Sequence, residues 1–281
     1  MSETSDRLRI LVTNIPTAME HAASGEYLKK TLVPVTQSAA ALTHRGRAEL
    51  VFRFASHGFR HPAFECFRYL PELNPHAMID AVAWGEAQGF DAAVLGCFGD
   101  PCLADIRRAS AIPVVGLGEA ALRAAAAHGP FGVVTPSEFL LAPTRHQIHA
   151  LGLSAQLVDV VVGSEPGDEQ EHALINATSA IEHFCSASRR LIAQGARAVV
   201  PGCGLLSPAL RMAPGADRQW PDGLCEVDGV PVIDVFGCAM AEALAAVRPS
   251  PQPAAQRPSW AEISAAPGEV PKVEPGAFWN V

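Results

Sequence analysis

Several features that would decide function quickly are missing from these 281 residues. There is no cluster of Lys and Arg, and the net charge is −8, which excludes a broad footprint for nucleic acid or an anionic membrane surface. No apolar run is long enough to span a bilayer. The opening "MSETSDRLRILV" carries charge straight into a short apolar run and offers no signal-peptide core, so a cytoplasmic protein is expected. Neither a G-x-S-x-G elbow nor a G-x-x-x-x-G-K phosphate cradle occurs. The seven cysteines show no C-x-x-C or zinc-like spacing, and their odd number fits reduced thiols better than a disulfide framework. Two histidine pairs, His57/His61 and His146/His149, lack a third ligand at a useful spacing, so no metal is expected.

What is present is a repeat. "AQGFDAAVLGC", ending at Cys97, and "AQGARAVVPGC", ending at Cys203, agree at seven of eleven positions, all at one offset. Around them the chain alternates strand-like and helix-like segments. "RILVTN", "AELVFRF", "DAAVLGC" and "IPVVGLG" read as strands, with helices in "HAMIDAVAWGEAQG", "DPCLADIRRAS" and "EAALRAAAAHG". Gly89 suits the C-cap of the first of these, Asp100 the N-cap of the second, with Pro101 in its first turn. A helix through "EYLKKTLVPVTQSAAALTHRG" must break or kink at Pro34. The pattern then restarts: "FGVVTP" resembles "ILVTNI", placing Thr135 beside Thr13, and "APTRHQIHALG", "SAQLVDVVVG", a long helix through residues 171–195 and "RAVVPGC" follow. "VPVIDVFG" echoes "IPVVGLG" as a closing strand, and "CAMAEALAAV" echoes the Ala-rich helix.

Alternating β and α units imply parallel sheets flanked by helices. The expected fold is α/β: two Rossmann-like parallel-sheet lobes related by a pseudo-two-fold, with the active site in the cleft between them. The expected boundaries are 1–117 plus 236–281 for the first lobe, including a Pro-rich tail after Val247, and 118–235 for the second. An aromatic segment, residues 56–75, reads as a long loop.

Ligands of open α/β sheets bind beyond the carboxyl ends of the strands. Cys97 and Cys203 both stand there, each after a glycine and before a turn into a helix. Facing each other across one cleft, a thiolate could remove a proton from carbon and a thiol deliver one from the opposite side. A single cysteine is more often a small core residue, but the duplication favours chemistry. Cys66, Cys102, Cys185, Cys225 and Cys238 lack this setting and are read as structural.

A competing motif is "GLGEAA", Gly116 to Ala121, which matches the dinucleotide fingerprint, with Glu138 about 20 residues on. It falls after a late strand, and the other half has no match, so a glycine-rich crossover between halves is favoured. Thr13, Asn14 and Thr135 end the first strand of each half, where they serve either as turn residues or as donors to a substrate oxygen. Asp100 either orients Cys97 or caps a helix.

The block "GFDAAVLGCFGDPCLADIRRASAIPVVGLGEAA" closely resembles the first-cysteine signature of the aspartate/glutamate/hydantoin racemase superfamily, nearest its hydantoin and allantoin racemase branch. "RILVTNIPTAM" resembles that branch's opening, with Asn14 and Thr17 matching and the proline displaced. "ARAVVPGCGLL" stands at the second-cysteine block, where Pro201 departs from the pattern and is expected to shift the strand end, and "VPVID" resembles the closing strand with Asp234. The resemblance covers about residues 8–248. It implies a racemase without metal or organic cofactor, acting on a small molecule and commonly homo-oligomeric. Cys97 and Cys203 are implied as acid and base. Asn14, Thr17, Phe98, Gly99, Thr135, Gly204 and Leu205 are the implied substrate-binding positions, the backbone N–H groups after each cysteine and the Asn14 and Thr135 side chains holding an enolate oxygen. Three other readings stay open: a cis–trans isomerase or decarboxylase-like enzyme using one thiolate, a non-catalytic small-molecule binding protein on the same scaffold, and, more remotely, an NAD enzyme. Phe98-Gly99-Asp100 against Gly204-Leu205-Leu206 makes one cleft wall polar and the other apolar.

Overall fold

The computed structural model describes residues 8–14, 48–54, 74–163, 177–204, 206–207, 210 and 223–247. The Pro34 helix, Thr17, Leu205, His57, His61, Cys66, residues 56–73 of the aromatic segment, the start of the long helix and the tail after Val247 lie outside them.

The first sheet contains β1 (Leu8–Asn14), β2 (Ala48–Phe54), β3 (Ala92–Leu95) and β4 (Val114–Gly116), in the order β2-β1-β3-β4 and parallel throughout. The second contains β5 (Phe131–Thr135), β6 (Leu157–Val162) and β7 (Ala198–Pro201), in the parallel order β6-β5-β7. The closing strand of that half departs from expectation. "EVDGVP" forms a short antiparallel hairpin, β8 (Glu226–Val227) with β9 (Val230–Pro231), and only Val232 bridges to Val199. Asp228 and Gly229, both at positive φ, make the tight turn, and Asp-Gly between short apolar runs is a strong hairpin signal. Even so, Val232 extends the second sheet on the side where β4 extends the first. The two sheets therefore share one strand order.

Six helices occur among the described residues: α1 (Asn74–Ala87), α2 (Leu103–Ala109), α3 (Leu117–Ala127), α4 (Leu141–Ala150), α5 (Ala177–Ala193) and α6 (Val235–Ala246). None is long and apolar enough to cross a membrane. The α1 helix starts two residues before the apolar pattern does and takes Pro75 into its first turn, where a missing N–H costs nothing.

Period-2 alternation sorts the strands' side chains into three apolar layers. Ile10, Val12, Ala92 and Val94 of the first sheet, and Phe131, Val133, Ala198 and Val200 of the second, share one central core with α3 and α6. Leu11, Ala93 and Leu95 point the other way, onto Met78 and Val82 of α1 and Ile106 of α2. Val134 and Val199 do the same in the second half, meeting Ile181, Phe184 and Leu191 of α5. The strands β3, β4, β5 and β7 are buried on both faces, which is why they read as continuous apolar runs.

The central layer joins the halves. The α3 helix leaves the first sheet and packs on β7 of the second; α6 leaves the second and packs on β3 and β4 of the first; the two helices lie against each other. Ala120, Ala121 and Ala125 on one, and Ala239 and Ala243 on the other, keep that contact close. The molecule thus has two similar α/β lobes tied by exchanged helices.

Candidate active site

Both sheets end at the same kind of turn. Gly96 N–H donates to the Thr13 carbonyl at 2.7 Å, and Gly202 N–H donates to the Val134 carbonyl at 2.8 Å. Each glycine continues the ladder one residue past its strand, and the next residue is the cysteine. Gly202 cannot be larger: a Cβ there would stand 2.8 Å from Val133 Cγ1 and 3.2 Å from Thr135 Cγ2. Pro201 stays in register opposite Val134, so the expected displacement of the strand end does not occur. Proline is tolerated because the ladder to β5 is continued by the N–H of Gly202, and the nitrogen of Pro201 faces the other side, where only Val232 bridges the strand.

The two turns abut. A Cβ on Gly204 would lie 2.7 Å from the Gly96 carbonyl oxygen and 3.1 Å from Leu117 Cδ2. The residue after Cys203 therefore touches the residue before Cys97, across the lobe boundary. Cys97 and Cys203 are both half-buried, each packed against the outer apolar layer of its own lobe.

The ladder also corrects the alignment of the two first strands. Leu95 pairs with Thr13, whereas Pro201, its counterpart, pairs with Val134. Thr135 thus occupies the place of Asn14, not of Thr13. The Thr13 hydroxyl is buried and donates to the Val94 carbonyl. Thr135 is buried too, and its hydroxyl is shared between the carbonyls of Ser137 and Val161 at 3.1 and 3.3 Å. Phe98 turns its ring into the central core, leaving its backbone at the turn, while Gly99 is exposed.

Asp100 is the largest departure from expectation. It does not cap its own helix: α2 begins at Leu103 with Cys102 at its N-cap, and Asp100 and Cys102 both have positive φ, 47° and 54°. Its carboxylate reaches the N-terminus of α3 instead, accepting from Gly118 N–H at 3.1 Å and Glu119 N–H at 2.6 Å. Burial pushes its pKa up to about 7, and the nearby Glu119 charge adds to the rise, against the lowering effect of the two N–H groups and Gln147. Glu119 shows the opposite balance. Burial acts upward, but Arg107 at 2.7 Å and Arg123 at 3.0 Å hold its carboxyl below the usual range.

This arrangement explains "GLGEAA". A Cβ on Gly118 would stand 1.9 Å from the Phe98 carbonyl oxygen, and one on Gly116 2.7 Å from the Asp100 carboxyl. Both glycines make room for the Cys97 turn. The helix N–H groups that would receive a pyrophosphate in a dinucleotide site are occupied by the protein's own carboxylate. The second half repeats the device in simpler form: Asp234 caps α6 directly, accepting from Gly237 N–H at 3.0 Å. The polar wall expected from Phe98-Gly99-Asp100 is accordingly turned inward.

Sequence reasoning missed Gln147. From α4 of the second lobe its Nε2 donates to the Phe98 carbonyl at 2.8 Å and to Asp100 Oδ2 at 2.9 Å. The available signal was a glutamine one turn after buried Thr144 and beside buried Ile148, hence on the inward stripe of the helix. His146 and His149 lie on the exposed face.

The family model described as "Asp/Glu/Hydantoin racemase" matches residues 15–243. A hydantoin racemase from Paenarthrobacter aurescens is 32% identical over 168 residues, which are 56% of this chain and 62% of that protein. A hydantoin racemase from Rhizobium meliloti is 30% identical over 187 residues, 61% of this chain and 67% of that one. Among solved structures, the allantoin racemase of Pseudomonas fluorescens superposes with a TM-score of 0.66 at 22% identity, covering 86% of this chain and 91% of that one. That likeness speaks for the fold. The match of the family over most of the chain, with the same two-lobed architecture, places this protein in the Asp/Glu/hydantoin racemase family.

Proposed function

We propose that this protein is a cofactor-independent racemase or epimerase acting on a hydantoin-like or amino-acid-derived carbon acid. The observation that carries the reading is the pair of matched Gly-Cys turns, at equivalent strand ends of two lobes, in contact through Gly204 and Gly96. In the forward direction one thiolate takes the proton from the chiral carbon and becomes a thiol. The electron pair moves onto the adjacent carbonyl as an enolate. The other thiol then gives its proton to the opposite face and becomes the thiolate, which resets the site for the reverse enantiomer. Cys97 and Cys203 are the acid and base. The enolate oxygen is held by Asn14 and by backbone N–H groups of Phe98, Gly99 and Gly204, since preorganised donors at a developing oxyanion contribute most to such steps. Thr135 has the hydroxyl placement of a strand-end support, and Thr17 and Leu205 complete the substrate-binding set on the sequence resemblance. Hydantoin ring carbons are more acidic than the α-carbons of free amino acids, which eases a thiolate mechanism without cofactor. We read the enzyme as cytoplasmic and homo-oligomeric, on the odd number of cysteines and the family resemblance.

The test is a panel of 5-substituted hydantoins, allantoin, Asp and Glu incubated in D2O and followed by NMR. Racemisation with deuterium entering the chiral carbon is expected for at least one. Cys97→Ser and Cys203→Ser should each lower racemisation by about a thousandfold or more, while exchange of one enantiomer survives. Full racemisation by either variant removes the two-base assignment.

A further inference from the structure

The Cys97 turn is gripped from two directions, by the helix that follows β4 and by a helix of the second lobe. From the N-terminus of α3, Gly118 and Glu119 donate to the Asp100 carboxylate. From the second lobe, Gln147 donates one amide group to both Phe98 and Asp100. Those two residues bracket the stretch directly after Cys97. The turn has reason to need holding, because Asp100 and Cys102 both sit in the left-handed region that residues with a Cβ adopt at a cost.

Gln147 gives something up for this contact. Its Oε1 is buried and has no hydrogen-bond partner among the described residues. Rotating the amide by half a turn would not cure the defect, since it would set Oε1 against a carbonyl oxygen and a carboxylate. The orientation is dictated by the two acceptors of the first lobe. Burying an unsatisfied acceptor costs about 1–3 kcal/mol, which offsets much of what the two donated bonds return. The contact therefore contributes more to the geometry of the turn than to net stability.

We propose that Asp100 and Gln147 are positioning residues for the Cys97 side of the reaction. Together they lock the Cys97–Asp100 turn against the second lobe and so fix the thiol and the backbone N–H groups beside it relative to Cys203. The kinetic part of this inference rests on the racemase reading; the positioning itself does not.

The experiment uses the full-length chain and two variants, Asp100→Asn and Gln147→Met. Iodoacetamide labelling, with peptide mass spectrometry, gives separate rates for Cys97 and Cys203. We expect both variants to change the Cys97 rate by about threefold or more while the Cys203 rate holds. On whichever substrate the wild type turns over, kcat should fall about tenfold with little change in KM, as expected when a pre-set geometry is loosened. Wild-type labelling rates and wild-type kcat in a folded Gln147→Met protein would overturn the proposal. Should Asp100→Asn fail to fold, Gln147→Met decides alone, since it removes one side of the grip. A wild type that racemises nothing would refute the proposed function and leave the labelling comparison to judge the positioning.

Discussion

The two cysteine turns are spelled alike and supported differently. The Cys97 turn is cross-braced: its carbonyl and carboxylate groups are held by α3 and α4, and glycines at 116 and 118 are hollowed out to admit it. At the Cys203 turn, Ser207 N–H donates to the Cys203 carbonyl at 3.2 Å, and Leu206 and Leu210 are buried in the apolar layer beneath. The two aspartates that cap helices differ in the same way. Asp234 caps the helix that follows it, whereas Asp100 caps one that begins 17 residues later, at Leu117. The repeat preserved the placement of a thiol, while the carboxylate at the following helix N-terminus comes from a different position in each half: Asp100 in one, Asp234, aligned with Gly116, in the other. Among the described residues, side-chain hydrogen bonds from another helix hold the Cys97 turn, while buried leucines line the Cys203 turn.

The largest test of that difference is pH. A carboxyl whose folded pKa is raised binds its proton more tightly in the folded state. Its stabilising effect is present at low pH and lost as pH rises from the ordinary carboxylate range through about 7, the value for Asp100. A rise of that size corresponds to at most about 4 kcal/mol. The charged groups around it are Glu119 on α3, with Arg107 of α2 and Arg123 of α3 paired to it; α4 contributes the neutral Gln147, and Cys97 and Cys102 share its loop. Urea melts from pH 4 to 8 should show stability declining across this window, and Asp100→Asn should flatten the decline. A smaller slope remains from Glu242, whose carboxyl is raised by burial and by the Glu119 charge. An unchanged slope in Asp100→Asn would show that the buried brace is not what distinguishes this wall.

The glycines give the next effect. Gly118→Ala gains about 1 kcal/mol of helix propensity, but drives a methyl to within 1.9 Å of the Phe98 carbonyl oxygen, a backbone atom that cannot step aside. A net loss of about 3 kcal/mol is expected, with activity lost alongside. Gly204→Ala meets the Gly96 carbonyl at 2.7 Å and otherwise the movable end of Leu117. It should cost about 1–2 kcal/mol and push the turns apart. Thermal melts of the two variants measure the contrast. Equal losses would mean that the two walls are equally rigid.

Much of this was legible beforehand because it is local or repeated. Strands buried on both faces announce themselves as apolar runs, and the doubled Gly-Cys ending marks two strand ends that the fold brings into contact. What escaped depends on contacts far along the chain. Asp100 and Pro101 before a helical run read as the cap of that run, yet the carboxylate caps a helix 18 and 19 residues away. Gln147 acts across 49 residues, through a pairing that no spacing rule encodes. Thr13 and Thr135 look equivalent in the sequence, but register is a property of the ladder and shifts their correspondence by one. The closing strand reads as a strand from composition; the Asp228-Gly229 turn diverts its start into a hairpin and leaves a single bridge to β7.

The smallest expected effect serves as the control for the brace. Arg145 lies on α4 two residues from Gln147 but faces outward, pairing with Asp159 at 2.8 Å and donating to the Val160 carbonyl at 2.9 Å, all within the second lobe. Both partners are substantially exposed, 47% and 39%, and such pairs contribute about 0–1 kcal/mol. Arg145→Ala should therefore lower the melting temperature slightly and leave the Cys97 labelling rate alone. Gln147→Met should do the reverse, with little loss of stability, since it removes an orphaned acceptor, and a clear change at Cys97. If Arg145→Ala perturbs Cys97 as strongly as Gln147→Met does, the whole of α4 transmits the effect, and the direct bond from Gln147 to the cysteine turn is not its cause.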